Sequence, residues 1–365
     1  MIFDRLTFYV TLLLVGIGMV MVYSSSAALS QRYYGYSSFF IKRQLLWIVI
    51  GFFLLFTMQR LDYHQLSRFV YPVLALIFIL AGMVLVPGIG VSVKGARRWL
   101  PIGGLSLQPS EGIKLMLILY LSHTFARKKK DIKRFSYTFL PFILVIGLAS
   151  VLVLLEPDLG NSLVITFICL TLSFIAGVKF IYLIMIGFIS LPALYLTVQK
   201  YHYMGERINS YLNNLKHPLH GSYQVLQSFY AFGMGGLWGR GLALGRQKVR
   251  FLPEPHNDFI FSVIGEELGL IGCLLILVLF VLLIIRGFQI AASSPDNFGR
   301  YLAAGITIMI GTQAFVNMAV TVGLLPPKGI SLPFISYGGS SLIMSMAAVG
   351  ILLSVSRRAV PQPSG

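Results

Sequence analysis

Long apolar runs alternate with short polar segments along most of this 365-residue chain. About ten runs have the length that a membrane-spanning helix needs, since roughly 20 apolar residues cross the hydrocarbon core of a bilayer. They lie near residues 7–25, 44–58, 70–88, 112–126, 138–155, 162–178, 181–198, 258–285, 302–322 and 339–355. The pattern predicts an all-α polytopic membrane protein in which about ten transmembrane helices form one domain over residues 1–365.

The composition agrees with this interpretation. The chain is 56% hydrophobic and only 11% charged, with a mean hydropathy of +0.81, which is not the composition of a soluble domain. The first run is preceded by Asp4 and Arg5 and lacks a small-residue cleavage site, so we predict a retained span and not a removed signal peptide. Cys169 and Cys273 both fall inside apolar runs and are predicted to be packing residues.

The net charge of +17 does not indicate nucleic-acid binding, because the basic residues are scattered between the spans. The densest basic segment, residues 127–134, lies between the fourth and fifth runs, and the positive-inside rule places it in the cytoplasm. With ten spans, both termini are then cytoplasmic as well. Roughly half of the basic residues would face outside, which indicates an anionic ligand such as a lipid pyrophosphate. Anchoring to lipid headgroups is the alternative.

Residues 251–269 form the most unusual stretch. A polar loop ending at Asp258 leads directly into an apolar helix that contains Glu266 and Glu267. Acidic groups at membrane depth are costly and are therefore functional candidates. Asp258, Ser262 and Glu266 recur every four residues and would share one helix face. The alternative is that Asp258 is a helix N-cap and Glu266 a satisfied interior acid.

Two further polar segments accompany spans four and six. Residues 87–111 are punctuated by glycines and predict a shaped loop carrying Arg97 and Arg98. Glu111 and Lys114 follow at the start of span four, three residues apart on one face, where a local ion pair is the alternative to a ligand-binding role.

The connection between spans five and six is very short. Glu156 and Asp158 flank a proline there, and Pro157 prevents the helix from continuing. For Glu156 we expect a structural role. For Asp158 two alternatives stay open, a second acid near Asp258 or a helix cap.

Residues 199–257 are the one large segment predicted to lie outside the membrane. A loop of this length inside a compact fold is usually functional, and Gln224 is a candidate hydrogen-bond donor to sugar hydroxyls. Prolines and glycines then break the chain before span ten, and the start of that span carries Ser336 and Gly338. Free N–H groups at a helix start bind anions, although a serine-capped helix explains the same residues.

Together these segments resemble the SEDS family (shape, elongation, division and sporulation), a group of ten-span membrane proteins. The resemblance covers nearly the whole chain. Residues 247–248 and 325–329 are more similar to the division-type FtsW members than to the elongation-type RodA members. The matching motifs are Lys94-Gly-Ala-Arg-Arg-Trp99, Gln108-Pro-Ser-Glu111, Glu156-Pro-Asp-Leu-Gly160, Phe251-Leu-Pro-Glu-Pro-His-Asn-Asp-Phe259 and Leu332-Pro-Phe-Ile-Ser-Tyr-Gly-Gly-Ser-Ser341.

The resemblance implies a peptidoglycan glycosyltransferase that polymerises lipid II into glycan strands at the outer face of the bacterial cytoplasmic membrane, for septal wall synthesis. It implies a class B penicillin-binding protein as partner and Mg²⁺ or Mn²⁺ as cofactor, although the sequence shows no closed metal site. Asp258 is the expected catalytic carboxylate. The other expected site residues are Arg97, Arg98, Glu111, Lys114, Asp158, Gln224, Ser336 and Gly338 for substrate binding, with Asp258, Glu111 and Asp158 as candidate metal ligands.

Three alternative functions are compatible with the sequence. Glu266 and Glu267 inside a bundle of ten spans could line the path of a lipid II flippase. The chain could be an elongation-type polymerase, or a non-catalytic scaffold that activates the penicillin-binding protein. No nucleic-acid partner is expected.

Overall fold

The computed structural model describes residues 3–93, 96–103, 105–128, 140–200, 205–207, 209–211 and 222–358. Lys94, most of the basic segment 127–134 and residues 359–365 lie outside the described residues, as does much of the first half of the loop 199–257.

Ten long helices dominate the described part of the chain, as the hydrophobic pattern predicts. They are α1 (Arg5–Tyr34), α2 (Phe39–Arg60), α4 (Val70–Leu85), α5 (Pro109–Arg127), α6 (Leu140–Leu155), α7 (Leu159–Ala176), α8 (Phe180–Lys200), α11 (Ile260–Ala292), α12 (Asn297–Thr321) and α13 (Gly339–Ser356). Three shorter helices are α3 (Tyr63–Leu66), α9 (Tyr223–Gly235) and α10 (Gln247–Arg250).

Seven of these helices are long and apolar enough to cross a membrane by length and composition. Helices α4 and α6 are apolar but shorter, and α5 completes the ten, with Glu111, Lys114 and Arg127 along its length. The chain is therefore a multi-pass membrane protein with the predicted all-α architecture.

The interior of the bundle is formed by the last helices of the chain. Most residues of α13 and α12 are buried, whereas few residues of α8 are. Close packing of α2 on α13 requires small residues, as is usual between membrane helices. A Cβ atom at Gly350 would lie 2.5 Å from the Leu55 carbonyl oxygen, so only glycine fits there.

The glycine-rich loop before α5 folds into a small sheet that the all-α prediction does not contain. Strands β1 (Val91–Val93), β2 (Ala96–Ile102) and β3 (Leu105–Leu107) form an antiparallel meander in the order β1-β2-β3. Leu100 of β2 pairs with Leu107 of β3. Residues 91–93 and 105–107 alternate apolar and polar side chains, the two-residue period of a strand, and the sequence analysis interpreted this stretch only as a shaped loop.

Both ends of the described chain meet at one end of the bundle, which we call the termini end. The Asp4 backbone N–H donates to Ser356 Oγ at 3.1 Å, and Arg358 forms an ion pair of 2.6 Å with Asp62. The long helix α11 starts at the opposite end, just after Asp258. We call that opposite end the site end.

The described second half of the predicted outer loop 199–257 is not a free connector, because it packs against the helices of the bundle. Helix α9 packs along the first turns of α11, where Ser228 Oγ and Ser262 Oγ lie 2.5 Å apart. Helix α11 is interrupted at Gly269, which has a left-handed φ of 67°. A Cβ atom at Gly269 would lie 2.5 Å from the Leu237 carbonyl oxygen.

We expect Gly269→Ala to destabilise the protein, because the methyl group would both strain the backbone and overlap residue 237. Overpacking costs about 1–3 kcal/mol and a disfavoured backbone conformation a further 1–3 kcal/mol, roughly. Thermal unfolding in detergent, followed by size-exclusion chromatography, measures the loss. Gly82→Ala in α4 is the matched control, because nothing lies within 4 Å of its added Cβ. An equal melting temperature for both variants would contradict the assignment.

Candidate functional site

Asp258 lies immediately before α11 but is not its N-cap. The N-cap position is Phe259, and no side chain caps this helix start. The alternative in which Asp258 is the N-cap is therefore wrong.

Contacts from two other segments fix the backbone at Asp258. Asn317 Nδ2 in α12 donates to the Asp258 carbonyl at 3.0 Å and to the Ile330 carbonyl at 2.8 Å. Ser336 Oγ donates to the Asn257 carbonyl at 2.7 Å. Ser336, a predicted substrate-binding residue, thus contacts the backbone beside Asp258. The Asp258 segment is held between α12 and the loop that precedes α13.

The Asp258 carboxylate lies next to Gly329, which lines an open pocket at the site end, whereas Asp258 itself is not among the lining residues. A Cβ atom built on Gly329 would lie 3.5 Å from Asp258 Oδ2 and 3.9 Å from Oδ1. The pocket has an empty volume of about 460 Å³. Its lining residues are Arg98, Pro157, Asp158, Leu159, Gly160, Arg207, Pro326, Pro327, Lys328 and Gly329.

Three of the lining residues, Arg98, Arg207 and Lys328, are basic, and Asp158 is the one acid in this lining. Arg207 belongs to the long loop and donates to the Pro327 carbonyl at 3.5 Å. Burial lowers the pKa of Lys328, and the Asp158 charge acts in the opposite direction. A pocket with an excess of positive charge suits a phosphate-bearing ligand.

Arg98 holds the connection between α6 and α7 while its side chain borders the pocket. Its Nε donates to the Glu156 carbonyl at 3.2 Å, and Nη2 donates to the Pro157 carbonyl. Nη1 lies 3.6 Å from Asp158 Oδ2. The guanidinium is therefore oriented by the protein, as is usual for an arginine that binds an oxyanion.

Asp158 takes the second of the two roles that the sequence left open, the helix cap. Its carboxylate caps α7 by accepting from the Asn161 backbone N–H at 3.1 Å, and Asn161 Nδ2 donates to it at 2.9 Å. Gln108 Nε2 donates to the same carboxylate at 3.4 Å. Asp158, whose carboxylate caps α7, also lines the pocket.

Glu111 and Lys114 form the ion pair that their spacing predicts, with Nζ 2.6 Å from Oε1. Lys114 is 1% exposed, and its Nζ also donates to Asn161 Oδ1 at 3.1 Å. Gln313 Nε2 donates to Glu111 Oε2 at 3.4 Å. This buried network links α5, α7 and α12, and its Asn161 also holds Asp158. The geometry gives Glu111 and Lys114 a supporting position behind the pocket wall.

Glu266 and Glu267 are also buried, but both carboxylates bind the folded-back loop of residues 236–248, which contains no β-strand and which we call the hairpin. Glu266 accepts from the Arg246 N–H at 2.7 Å, and Lys248 Nζ forms an ion pair with Glu267. Acids engaged in this way do not favour the flippase interpretation, which needs polar groups lining a path.

Of the eight predicted substrate-binding residues, only Arg98 and Asp158 line the pocket. Besides Glu111, Lys114 and Ser336, three more lie away from it. Arg97 is exposed on β2, Gln224 is half-buried on α9, and Gly338 is the N-cap of α13. No side chain caps α13, so the predicted serine cap is wrong. Arg207 and Lys328 are among the outer basic residues for which the sequence indicates an anionic ligand, but neither is predicted individually as a site residue. Lys328 has a local signal in the Pro326-Pro-Lys-Gly329 break, whereas nothing in the sequence around Arg207 indicates its position.

The predicted metal ligands are not gathered into one site. Among the described residues, no group of three or more His, Cys, Asp or Glu side chains has the spacing to hold a metal ion. Glu111 is bound by Lys114 and Gln313, and Asp158 by Asn161. Because Mg²⁺ is usually held by one or two carboxylates together with substrate phosphates, the divalent cation stays a prediction.

The fold and the pocket define a multi-pass membrane protein with a cationic site beside an acidic residue at one end of its bundle. The family model of the FtsW, RodA and SpoVE cell cycle proteins matches residues 4–360. A probable peptidoglycan glycosyltransferase FtsW of Geobacter metallireducens is 42% identical over 356 residues, covering 98% of this chain and 95% of the relative. Stage V sporulation protein E of Bacillus subtilis is 42% identical over 354 residues, covering 97% of each chain.

Solved structures give the same result. The rod shape determining protein RodA of Thermus thermophilus superposes with a TM-score of 0.73 at 29% identity, covering 99% of this chain and 98% of RodA. A chain of a peptidoglycan synthase complex that coordinates polymerization and crosslinking superposes with a TM-score of 0.78 at 30% identity, covering 97% of this chain and 98% of that one. This chain belongs to the FtsW/RodA/SpoVE family, as its motifs indicate.

Glu156 gives this site a testable pH dependence. Its side chain is fully buried, and neither carboxyl oxygen has a hydrogen-bond partner among the described residues. Burial, assisted by the nearby Asp158 charge and opposed by Arg98, raises the pKa of Glu156 to about 9. The group is therefore protonated at neutral pH in the folded protein.

Because the pKa in the folded protein exceeds the ordinary value of 4.5, the folded state binds more protons than the unfolded state between pH 4.5 and about 9. The contribution of Glu156 to the free energy of unfolding is therefore fully present below pH 4.5 and is lost as the pH rises through about 9. Glu156→Gln mimics the neutral acid, so we expect normal activity at neutral pH and a melting temperature that falls less between pH 6 and 9. The exposed Glu206→Gln is the control and should keep the parental slope, and the same slope in both variants would refute a protonated Glu156.

Proposed function

We propose that this protein is a peptidoglycan glycosyltransferase that polymerises lipid II into glycan strands at the outer face of the cytoplasmic membrane, for septal wall synthesis in cell division. The observation that carries the proposal is the placement of the Asp258 carboxylate next to Gly329, which lines a cationic pocket. The division role is supported by FtsW relatives at 42% identity over nearly the whole chain.

Asp258 acts as the general base in this proposal. The 4-hydroxyl of the acceptor sugar attacks the anomeric carbon of the donor, and its proton passes to the Asp258 carboxylate. The new glycosidic bond forms as the bond to the pyrophosphate breaks, so undecaprenyl pyrophosphate leaves with the bonding electrons. An α-linked donor that gives a β-linked strand requires inversion, which one displacement with one base achieves.

The cations of the pocket stabilise the departing pyrophosphate. Arg98 is oriented by the α6–α7 connection, and Lys328 and Arg207 extend the positive charge along the same pocket. Fixed cations that face a developing negative charge are a strong source of rate enhancement. The divalent cation that the resemblance implies stays a prediction, and the charge neutralisation is assigned here to these three side chains.

The proposed partner is a class B penicillin-binding protein that crosslinks the new strands. It is supported by the similarity to a chain of a synthase complex that coordinates polymerization and crosslinking. We propose the bacterial cytoplasmic membrane as the location, with both termini in the cytoplasm. The meeting of the two termini at the end opposite to Asp258 supports this orientation.

Replacing Asp258 by Asn should lower the polymerisation rate by about 10²- to 10⁴-fold, because the amide cannot take up the proton. The measurement is glycan-strand synthesis from pure lipid II by the purified protein with its cognate transpeptidase. Glu206→Gln, an exposed acid in the long loop, is the control and should keep the parental rate. Full activity of folded Asp258→Asn protein would remove Asp258 from the chemistry and favour the scaffold interpretation.

Lys328→Ala should slow polymerisation by roughly 10²- to 10³-fold, the usual cost of removing one group that stabilises developing charge. It should also weaken product inhibition by undecaprenyl pyrophosphate, whereas Asp258→Asn should not. Lys328→Arg keeps the charge and should retain more activity. The exposed Lys179→Ala is the control, and unchanged product inhibition in Lys328→Ala would place the pyrophosphate elsewhere.

A further inference from the structure

The ladder of backbone hydrogen bonds in helix α11 is interrupted at Gly269, and we call this interruption the gap. The hairpin of residues 236–248 supplies the missing hydrogen-bond partners. In a continuous helix the carbonyl groups of Glu266 and Glu267 would accept from N–H groups four residues later. Here the hairpin backbone supplies the missing partners on both sides of the gap. The four bonds run from Arg240 N to Glu266 O (3.0 Å), Gly241 N to Glu267 O (3.0 Å), Leu270 N to Gly236 O (2.9 Å) and Ile271 N to Leu237 O (3.3 Å).

The gap divides α11 into a short segment, residues 260–268, and a long segment, residues 270–292. The short segment follows Asp258 directly. The ladder of helical hydrogen bonds does not continue through Gly269, so the hairpin sets the position of the short segment as much as the rest of α11 does.

A buried ion pair fixes the hairpin to this short segment. Lys248 Nζ contacts the Glu267 carboxylate, and their side chains are only 4% and 0% exposed. Ser24 Oγ of α1 donates to Glu267 Oε1 at 2.8 Å and accepts from Lys248 Nζ at 2.8 Å. The Ala243 N–H donates to Glu267 Oε2 at 3.2 Å. Glu267 therefore joins α1, the hairpin and the short segment at one point.

Glu266 adds a second attachment next to the first. Its carboxylate accepts from the backbone N–H groups of Arg246 at 2.7 Å and Gln247 at 3.2 Å. One turn nearer to Asp258, Ser228 of α9 lies 2.5 Å from Ser262 and also donates to the Thr321 carbonyl at 2.5 Å. The short segment is thus tied to its neighbours along its whole length.

We infer that the hairpin 236–248 is a latch, closed by the Lys248–Glu267 ion pair, that positions the short segment of α11 and with it Asp258. This inference rests on the proposed role of Asp258 as the base. Neither Lys248 nor Glu267 lines the pocket, so both are positioning residues. Removing one charge leaves the other buried without its counter-ion, which opens the latch because an unpaired charge is very unfavourable in an apolar interior.

The first test compares Lys248→Met and Glu267→Leu with the parent. A displacement of a catalytic group by about 1 Å can cost about 10²-fold in rate, and we expect a fall of that order in kcat per folded molecule. The Kd for lipid II should stay unchanged, because Arg98 and Lys328 keep their places. Lys42→Met, the same change at an exposed lysine, is the matched control and should behave as the parent.

The second test separates positioning from simple loss of folded protein. The double variant Lys248→Met/Glu267→Leu removes both charges and should recover at least part of the lost kcat, because an apolar pair can replace a buried ion pair. In the single variants the pH dependence of kcat/KM should shift, because displacement of the short segment changes the surroundings of Asp258. A smaller fraction of folded protein would lower the rate without changing that pH dependence.

Hydrogen exchange gives a readout that does not depend on activity. In Lys248→Met the amides of residues 240–241 and 270–271 should exchange faster, while those of α12 stay protected. Parental kcat in folded Lys248→Met protein, or faster exchange with an unchanged kcat and pH dependence, would overturn the latch. Failure of the underlying function is distinct, since it would appear as full activity of Asp258→Asn in the otherwise parental chain.

Discussion

The cost of placing charged groups inside an apolar bundle governs how this protein is built. A buried charge is tolerated only with a counter-charge or several hydrogen bonds. Lys114 meets this requirement through Glu111 and Asn161, and Glu267 through Lys248 and Ser24. Each solution joins helices that are distant in sequence, so the same contacts that satisfy the charges also fix the relative positions of the helices.

The buried acids consequently differ in role although they look alike in the sequence. Glu156 is neutral because its carboxyl oxygens have no hydrogen-bond partner among the described residues and Arg98 only partly offsets its burial. Glu266 serves as an acceptor for backbone N–H groups of the hairpin. Asp258 is only half-buried, and its carboxylate lies next to Gly329, which lines the pocket. An acid that takes a proton from a substrate must be reachable, and among these residues Asp258 has that placement.

The sequence predicts the helices well because the hydrophobic runs are long and depend on local composition alone. It also identifies Asp258 and the Glu111–Lys114 pair, whose spacing is local. The gap in α11 and its filling by residues 236–248 are not predictable in this way. They depend on contacts between segments that are distant in sequence, and glycines such as Gly269 signal only that some close approach exists. Arg207 reaches the pocket through the fold of a long loop, which no periodicity in the chain encodes.

The two halves of the site come from different segments, and Asn317 of α12 joins two of them by donating to the carbonyls of Asp258 and Ile330. The cations come from β2, the long loop and the segment before α13, and the acid comes from the start of α11. The base therefore stands on a short helical segment that is interrupted below it, while Arg98 is fixed to the α6–α7 connection. Since proton transfer and charge stabilisation must coincide in one displacement, their relative geometry is set by the contacts that tie the short segment of α11 to its neighbours.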